Sequence, residues 1–461
     1  AMADFPPSCP SVPGPRKVAV VTLGCKINQY DSSGLAAGAE SAGHTVVKDP
    51  AEADVIVVNT CTVTGKTDYK GRQLIRKMIH ENPSAVIVVT GCYAQVQPDS
   101  LARIPGVDYV LGNSAKPTLT AKISELVKRS RPEVRVGEIR GGCGFDEELP
   151  EVHSGNTRAF LKIQDGCNEA CAYCIVPRAR GRSRSLPWDL VLKKLDTLAR
   201  KGFQEVVLCG IHLGVYGLDL SPKTSLAALL EKVEAEGLIP RIRLSSIEPN
   251  EVEDDLLRLF SSSRCLCPHF HLPMQSGDGA ILRAMGRRYT PEGFADRVLT
   301  VRKFLPEAAI GVDVIAGFPG EGEAEFRNTV EMLRFLPVSY FHVFPFSRRP
   351  GVAASKMAGQ VAPSAIHERA AILRGLGQEK RSLFYESFLG RELEILVETS
   401  RDRETGMLKG VSRNYVPVLF GGTDCWKRSL VQVKVSCVKG RRVFGEISPL
   451  SGQVLGSAAP P

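Results

Sequence analysis

Two sets of three cysteines define the chemistry open to this chain. Cys167, Cys171 and Cys174 stand in the run CNEACAYC, with three and then two residues between them. Three thiolates on one loop can hold three irons of a 4Fe-4S cluster and leave the fourth iron open to a ligand. A structural zinc site would need a fourth nitrogen or sulfur donor close by, and none is obvious in this loop. Cys25, Cys61 and Cys92 lie 36 and 31 residues apart, yet their contexts agree: VVTLGCK, VVNTCT and VVTGCY each close an apolar, β-branched run. A lone cysteine at a strand end is commonly only a small buried side chain. Three at equivalent positions of a parallel sheet converge at its carboxyl edge, where open α/β sheets bind ligands. That convergence again supplies three thiolates and one open iron.

The elements that must position these residues follow from the hydrophobic pattern. Residues 17–23, 55–59 and 85–90 read as strands, each followed by an amphipathic helix, which predicts an open parallel α/β sheet over residues 17–140. Residues 141–154 read as a linker. Over residues 155–387 the alternation resumes with a longer period. Strands are expected at 159–164, 205–209, 242–246, 269–272, 311–316 and 340–344, with helices at 187–200, 225–236, 291–304 and 321–335 between them. Six such βα units predict a (β/α)6 partial barrel with its chemistry in the loops after the strands, where Cys167–Cys174 lie. Residues 388–450 break into five short strands separated by Gly and polar turns, a small antiparallel β-barrel. The ends, 1–16 and 451–461, read as disordered.

Composition narrows the setting. Thirteen cysteines, an odd number and tightly spaced, argue for metal or catalytic roles in a reducing compartment rather than for disulfides. No apolar run is long enough to span a membrane, and the Pro-rich start lacks the apolar centre of a secretory leader. A cytoplasmic protein with no membrane partner is therefore expected. The net charge of +9 permits a polyanionic partner without naming one. Residues 388–450 hold eleven Lys/Arg against seven Asp/Glu. Lys427, Arg428, Lys439, Arg441 and Arg442 are candidates there for a phosphate-binding face, and Arg178, Arg180, Arg182 and Arg184 (RARGRSR) for RNA contacts beside the Cys167 loop. The run Cys265-Leu-Cys267-Pro-His269-Phe-His271 coincides with an expected strand, and no third metal site is expected from it. Cys9, Cys143, Cys425 and Cys437 have no evident partners.

The CNEACAYC loop, with an aromatic residue before its last cysteine, resembles the radical S-adenosylmethionine superfamily. Adding TLGCKINQYDS, NTCTV and TGCYAQ, the chain resembles the methylthiotransferase family within it, from Lys17 to about Pro449. The resemblance implies two 4Fe-4S clusters, one on each cysteine triad, and S-adenosylmethionine as cofactor. It places the cofactor among Gly210 in the CGIH turn, Ser246 and Glu248 in SSIEP, Gln275 in HLPMQSG, and Gly317 and Phe318 in GFPGE. For Phe318 it implies packing on the adenine; Glu321 reads as a helix cap. It makes the last barrel a TRAM-like RNA-binding module, separable enough that removing residues after Gly390 would leave both clusters intact. It implies a tRNA anticodon stem-loop as partner, a low-potential flavodoxin- or ferredoxin-like electron donor, and a sulfur donor that the sequence does not name. The CKINQYD wording resembles the group acting on threonylcarbamoyl-adenosine, for whose polar side group Lys26, Asn28, Gln29 and the arginines 178–184 could supply partners. Alternatives are isopentenyl-adenosine or a ribosomal-protein aspartate as target. A non-catalytic RNA-binding iron–sulfur redox sensor is the remaining reading, one that would not need GFPGE, SSIEP or HLPMQSG.

Overall fold

The computed structural model describes residues 14–139 and 156–448; the expected linker at 141–154 and the tail from 451 lie outside them. The described residues fall into two compact units, one of residues 14–139 with 178–181, the other of residues 156–177 with 182–448.

In the first unit, strands β1 (Lys17–Thr22), β2 (Thr45–Val46), β3 (Val55–Thr60), β4 (Val86–Gly91), β5 (Tyr109–Leu111) and β6 (Glu133–Arg135) form one parallel sheet in the order β2-β1-β3-β4-β5-β6. The runs VIVVNT and VIVVTG are buried at every residue, as strands covered on both faces must be. Ile56, Val58, Ile87 and Val89 pack on one side against Ile75 and Met78 of the helix Gly65–Glu81. Val55, Val57, Val86 and Val88 pack on the other against Leu35 and Ala39 of the helix Lys26–Ser41. Register aligns Thr22 with Asn59 and Asn59 with Thr90, so the three central strands end level with one another.

The second unit begins with β7 (Ala159–Lys162) and a short antiparallel pair, β8 (Gln164–Asp165) with β9 (Arg184–Ser185). Five further strands follow: β10 (Glu205–Cys209), β11 (Arg241–Leu244), β12 (His269–Gln275), β13 (Ala309–Ala316) and β14 (Tyr340–Pro345). They pair in parallel as β7-β10-β11 and β12-β13-β14, and single bridges, Ile242 to Leu266 and Ser246 to His271, connect the two halves. Helices including Trp188–Arg200, Leu226–Glu236, Pro291–Phe304 and Glu323–Phe335 separate the strands, giving the expected six-unit partial barrel.

The last five strands, β15 (Glu392–Val397), β16 (Leu408–Ser412), β17 (Pro417–Phe420), β18 (Leu430–Lys439) and β19 (Arg442–Ile447), close a barrel in the order β15-β16-β17-β19-β18. Its core is Ile395, Val397, Leu408, Val418, Phe420, Val431, Val433 and Val443. The closure corrects one expectation: β17 and β19 run parallel, so the barrel is not wholly antiparallel.

The small barrel is also not a detachable appendage. Arg243 donates to the carbonyls of Ser412 (3.1 Å) and Arg413 (2.8 Å), and Arg241 to that of Val411 (3.0 Å). Both arginines are fully buried, and both pair with the equally buried Glu205. Burial alone would raise the Glu205 carboxyl, but Arg243 and Arg241 outweigh it and bring it down to about 2. A depressed carboxyl contributes stability at neutral pH that is lost as pH falls from about 4.5 through 2. Tyr415 lies over Arg243 (5.0 Å) and stacks on His269 (4.5 Å), completing the seal between the two barrels.

Candidate metal centres and cofactor cleft

The level strand ends of the first unit bring its three cysteines to one edge. Cys25 caps the helix Lys26–Ser41 after β1, Cys61 follows β3 directly, and Cys92 opens the helix Cys92–Val96 after β4. Two glycines missed in the sequence make this convergence possible. Gly24 has φ +119° and approaches Cys61 so closely that a Cβ would sit 2.6 Å from the Cys61 Cβ and 2.9 Å from its Sγ. Gly91 has φ +98°, and a Cβ there would meet the Thr60 carbonyl oxygen at 2.3 Å. Gly91→Ala should therefore cost more than about 1 kcal/mol and displace Cys92. The expected result is loss of the iron held by this triad with the Cys167 triad still loaded, read by iron analysis and Mössbauer spectroscopy.

Around the triad, Asn28 donates to Leu23 O (2.8 Å) and Thr60 O (2.9 Å) and accepts from Arg180 Nη2 (2.6 Å). Arg180 also pairs with Asp31, which Lys116 holds from another side. Burial pushes the Cys61 thiol up to about 12, with the neighbouring Cys92 and Cys25 adding to the rise. Iron loading must release such protons, which makes it pH-dependent. Asn59 Oδ1, Thr90 Oγ1 and Asn113 Oδ1 are buried here without a hydrogen-bond partner among the described residues. Polar atoms left open beside three thiols fit a bound polar group better than a packed core.

In the second unit Cys167, Cys171 and Cys174 occupy the loop after β8. The Cys167 sulfur accepts from the Glu169 backbone N–H (3.4 Å) and lies 3.6 Å from His212 Nδ1, while Arg287 donates to the Cys171 sulfur (3.3 Å). Hydrogen bonds of this kind favour thiolate and tune a cluster. His212 Nε2 reaches Glu251 at 2.6 Å. Burial would lower the imidazole, but Cys167 and Glu251 raise it to about 10. Burial pushes the Cys174 thiol up to about 12. His212 and Arg287 were not assigned from sequence, since only the folded loops bring them to the cysteines.

An open cleft lies beside this loop, lined by Cys171, His212, Glu248, Glu251, Arg287 and Tyr289. Glu248 pairs with Arg287 inside it. Two carboxylates and a guanidinium next to a cysteine triad fit a ligand carrying an amine, a carboxylate and a sulfonium. Gly210 approaches Gln164 so closely that a Cβ would lie 2.9 Å from its Oε1. Ser246 is half-buried, its Oγ bound to His271 Nδ1 at 2.6 Å. Gln275 has φ +64° beside a register shift of β12, a strained setting for a non-glycine residue that marks a re-aimed side chain.

Other placements depart from expectation. Phe318 has no exposed surface and meets Tyr173 edge-on at 6.5 Å, so it supports the Cys loop from the core and presents no face to an adenine. Gly317 has φ +78°, and its N–H is held by Glu321 Oε1 at 2.8 Å. Glu321 is thereby no helix cap: it also binds Arg369, while Gly322 and Glu325 cap the helix Glu323–Phe335. Arg180 is buried on Asp31 and Asn28, and Arg184 pairs with Asp165; neither is free to take a phosphate, whereas Arg178 and Arg182 are exposed. Asn28 is likewise spent within the fold. Lys427 and Arg428 precede β18, while Lys439 ends it and Arg441 and Arg442 follow it. Ten residues of strand at roughly 3.3 Å each place these groups far apart, so they do not form one face. Lys427 pairs with Asp424 and Arg442 with Glu404. Among the described residues no helix is long and apolar enough to cross a membrane.

Residues 17–112 match the family described as "Uncharacterized protein family UPF0004", and residues 161–333 match the "Radical SAM superfamily". The chain is 39% identical over 422 residues to the threonylcarbamoyladenosine tRNA methylthiotransferase MtaB of Bacillus subtilis (strain 168), covering 91% of this chain and 93% of that one. It is 42% identical to the protein of that name from Aquifex aeolicus (strain VF5), covering 83% and 92%. A tRNA-2-methylthio-N(6)-dimethylallyladenosine synthase of Pelotomaculum thermopropionicum is 34% identical, covering 94% and 98%. Among solved structures, the radical S-adenosylmethionine methyltransferase TsrM of Kitasatospora setae, with cobalamin and a 4Fe-4S cluster bound, aligns at TM-score 0.53 and 17% identity over 72% of this chain and 73% of its own.

Proposed function

Because the chain belongs to the radical S-adenosylmethionine methylthiotransferase family, we propose that it attaches a methylthio group to carbon 2 of threonylcarbamoyl-adenosine beside the anticodon of tRNA. The observation that carries this reading is the pair of cysteine triads, one at the level ends of three parallel strands and one in a single loop, all six free, in a chain whose relatives at 39% and 42% identity bear that activity in their names. Two 4Fe-4S clusters and S-adenosylmethionine, when bound, supply sulfonium cleavage, a hydrogen-abstracting radical and a sulfur carrier. The chain's own residues hold and shield these groups. Cys167, Cys171 and Cys174 would hold the cofactor-binding cluster, with His212 and Arg287 donating to its sulfurs. Glu248, Glu251 and Arg287 would take the charged methionine end in the cleft. Cys25, Cys61 and Cys92 would hold the auxiliary cluster, with Gly24 and Gly91 allowing the close approach. An aromatic C–H offers no proton that a protein base could remove, which is why a radical route is required.

The tRNA would bind through Arg178, Arg182 and the basic ends of the terminal TRAM-like barrel, and electrons would come from a low-potential flavodoxin- or ferredoxin-like donor in the cytoplasm. The second reading, dimethylallyl-adenosine as substrate, is favoured by the Pelotomaculum relative. Nucleoside mass spectrometry of bulk tRNA from cells with and without this protein separates them. Loss of the methylthio mark from threonylcarbamoyl-adenosine alone supports the proposal; loss only from the dimethylallyl nucleoside refutes it.

A further inference from the structure

Inside the six-stranded partial barrel, three side chains from adjacent strands converge: His271 of β12, Asp313 of β13 and His342 of β14. We infer that they form a third metal site, one that binds a divalent transition-metal ion such as zinc through two imidazoles and a carboxylate.

The strand register builds the site. Asp313 is the direct cross-strand partner of His342, and His271 sits opposite Gly311, two residues before Asp313 and on the same face of β13. His271 Nε2 lies 3.1 Å and His342 Nδ1 3.2 Å from the same oxygen of Asp313, and all three ligand atoms lie within 4.8 Å of one another. Ligands at about 2.0–2.2 Å from a zinc ion, at tetrahedral angles, stand roughly 3.3–3.5 Å apart. The two histidine–carboxylate separations fall about 0.1–0.4 Å short of that spacing, so binding an ion requires the imidazoles to turn slightly away from Asp313.

A plain hydrogen-bonded network explains the arrangement less well. His271 Nε2 is buried and, despite its distance from Asp313, makes no aligned hydrogen bond among the described residues. An imidazole nitrogen paired with a carboxylate at 3.1 Å, yet off the hydrogen-bonding axis, suits an ion seated against both ligands. The other nitrogen, Nδ1, is fixed by Ser246 Oγ at 2.6 Å, the outer hydrogen bond that orients a ligating histidine and sets its tautomer. His342 is exposed, so the ion would keep an open side for water or an oxygen ligand. Two imidazoles and one carboxylate are a borderline donor set suited to zinc or ferrous iron rather than to calcium or magnesium. The cysteines Cys265 and Cys267 and the histidine His269, which precede His271 in the chain, stay outside: Cys265 bonds Glu234, and His269 bonds Tyr340.

The test uses the full chain loaded anaerobically with both iron–sulfur clusters, so that the six cluster cysteines are occupied. It is equilibrated with zinc chloride in a metal buffer, desalted and analysed for zinc per chain. The unmodified protein should retain about one zinc more than His342→Ala, with at least tenfold weaker zinc affinity in Ser246→Ala and loss of binding in Asp313→Asn. His342 is exposed, so its replacement leaves the fold in place; circular dichroism and retained cluster iron confirm it. Equal zinc content in the unmodified protein and in folded His342→Ala overturns the inference. It does not touch the methylthiotransferase reading, which rests on other residues.

Discussion

Replacing Cys25, Cys61 and Cys92 together with alanine should remove about half of the roughly eight irons of the reconstituted protein and abolish methylthio transfer, while some cofactor cleavage to 5′-deoxyadenosine persists. Replacing Cys167, Cys171 and Cys174 should remove the other half and abolish cleavage altogether. The asymmetry follows from placement. The first triad ends three parallel strands of its own sheet. The second triad shares its loop and cleft with His212, Glu248 and Arg287, the groups suited to the cofactor. Full iron content in the first triple variant would mean that the strand-end cysteines hold no cluster.

The second large effect lies far from either triad. Arg243→Ala should destabilise the second unit by about 3–5 kcal/mol, because it leaves a buried carboxylate half-compensated and strands the carbonyls of Ser412 and Arg413. Ending the chain at Gly390 should be worse: Arg241 and Arg243 would lose the carbonyls of Val411, Ser412 and Arg413, and His269 its stack on Tyr415, opening that buried face to water. Loss of soluble protein, or of the Cys167 triad's iron, is the expected outcome, where the sequence alone suggests a separable barrel. Thermal unfolding followed by circular dichroism reads the point variant. A midpoint within a degree of the unmodified protein would show that the polar seal contributes nothing.

The contrast between these cases shows what is legible from sequence. Strands such as VIVVNT and VIVVTG are self-announcing, because β-branched runs buried on both faces leave no other reading, and their cysteines followed at once. Gly24 and Gly91 stood in plain view within LGC and TGC, but their need arises only when the neighbouring strand fills the space a Cβ would take. Arg180 read as one of four basic surface residues, and only the fold supplies Asp31, 149 residues away, to bury it. Arg241 and Arg243 in RIRL alternate like a half-exposed strand, and the partners that bury them come from about 170 residues downstream. Phe318 in GFPGE looked available to a ligand until the core closed over it. What is local to an element could be read; what depends on a distant partner could not.

The two nucleosides demand opposite pockets: a dimethylallyl group wants a dry apolar slot, whereas a threonylcarbamoyl group brings a carboxylate, a hydroxyl and a urea that need paired donors. A site built for those polar groups rejects the apolar analogue strongly, since its own donors would be left unpaired. The direct measurement gives the reconstituted enzyme, S-adenosylmethionine and a reductant two anticodon stem-loops differing only in this modification, and follows methylthio product by mass spectrometry. Preferential turnover of the threonylcarbamoyl stem-loop is predicted. Preferential turnover of the dimethylallyl stem-loop, or of neither while a ribosomal protein reacts, would contradict the account.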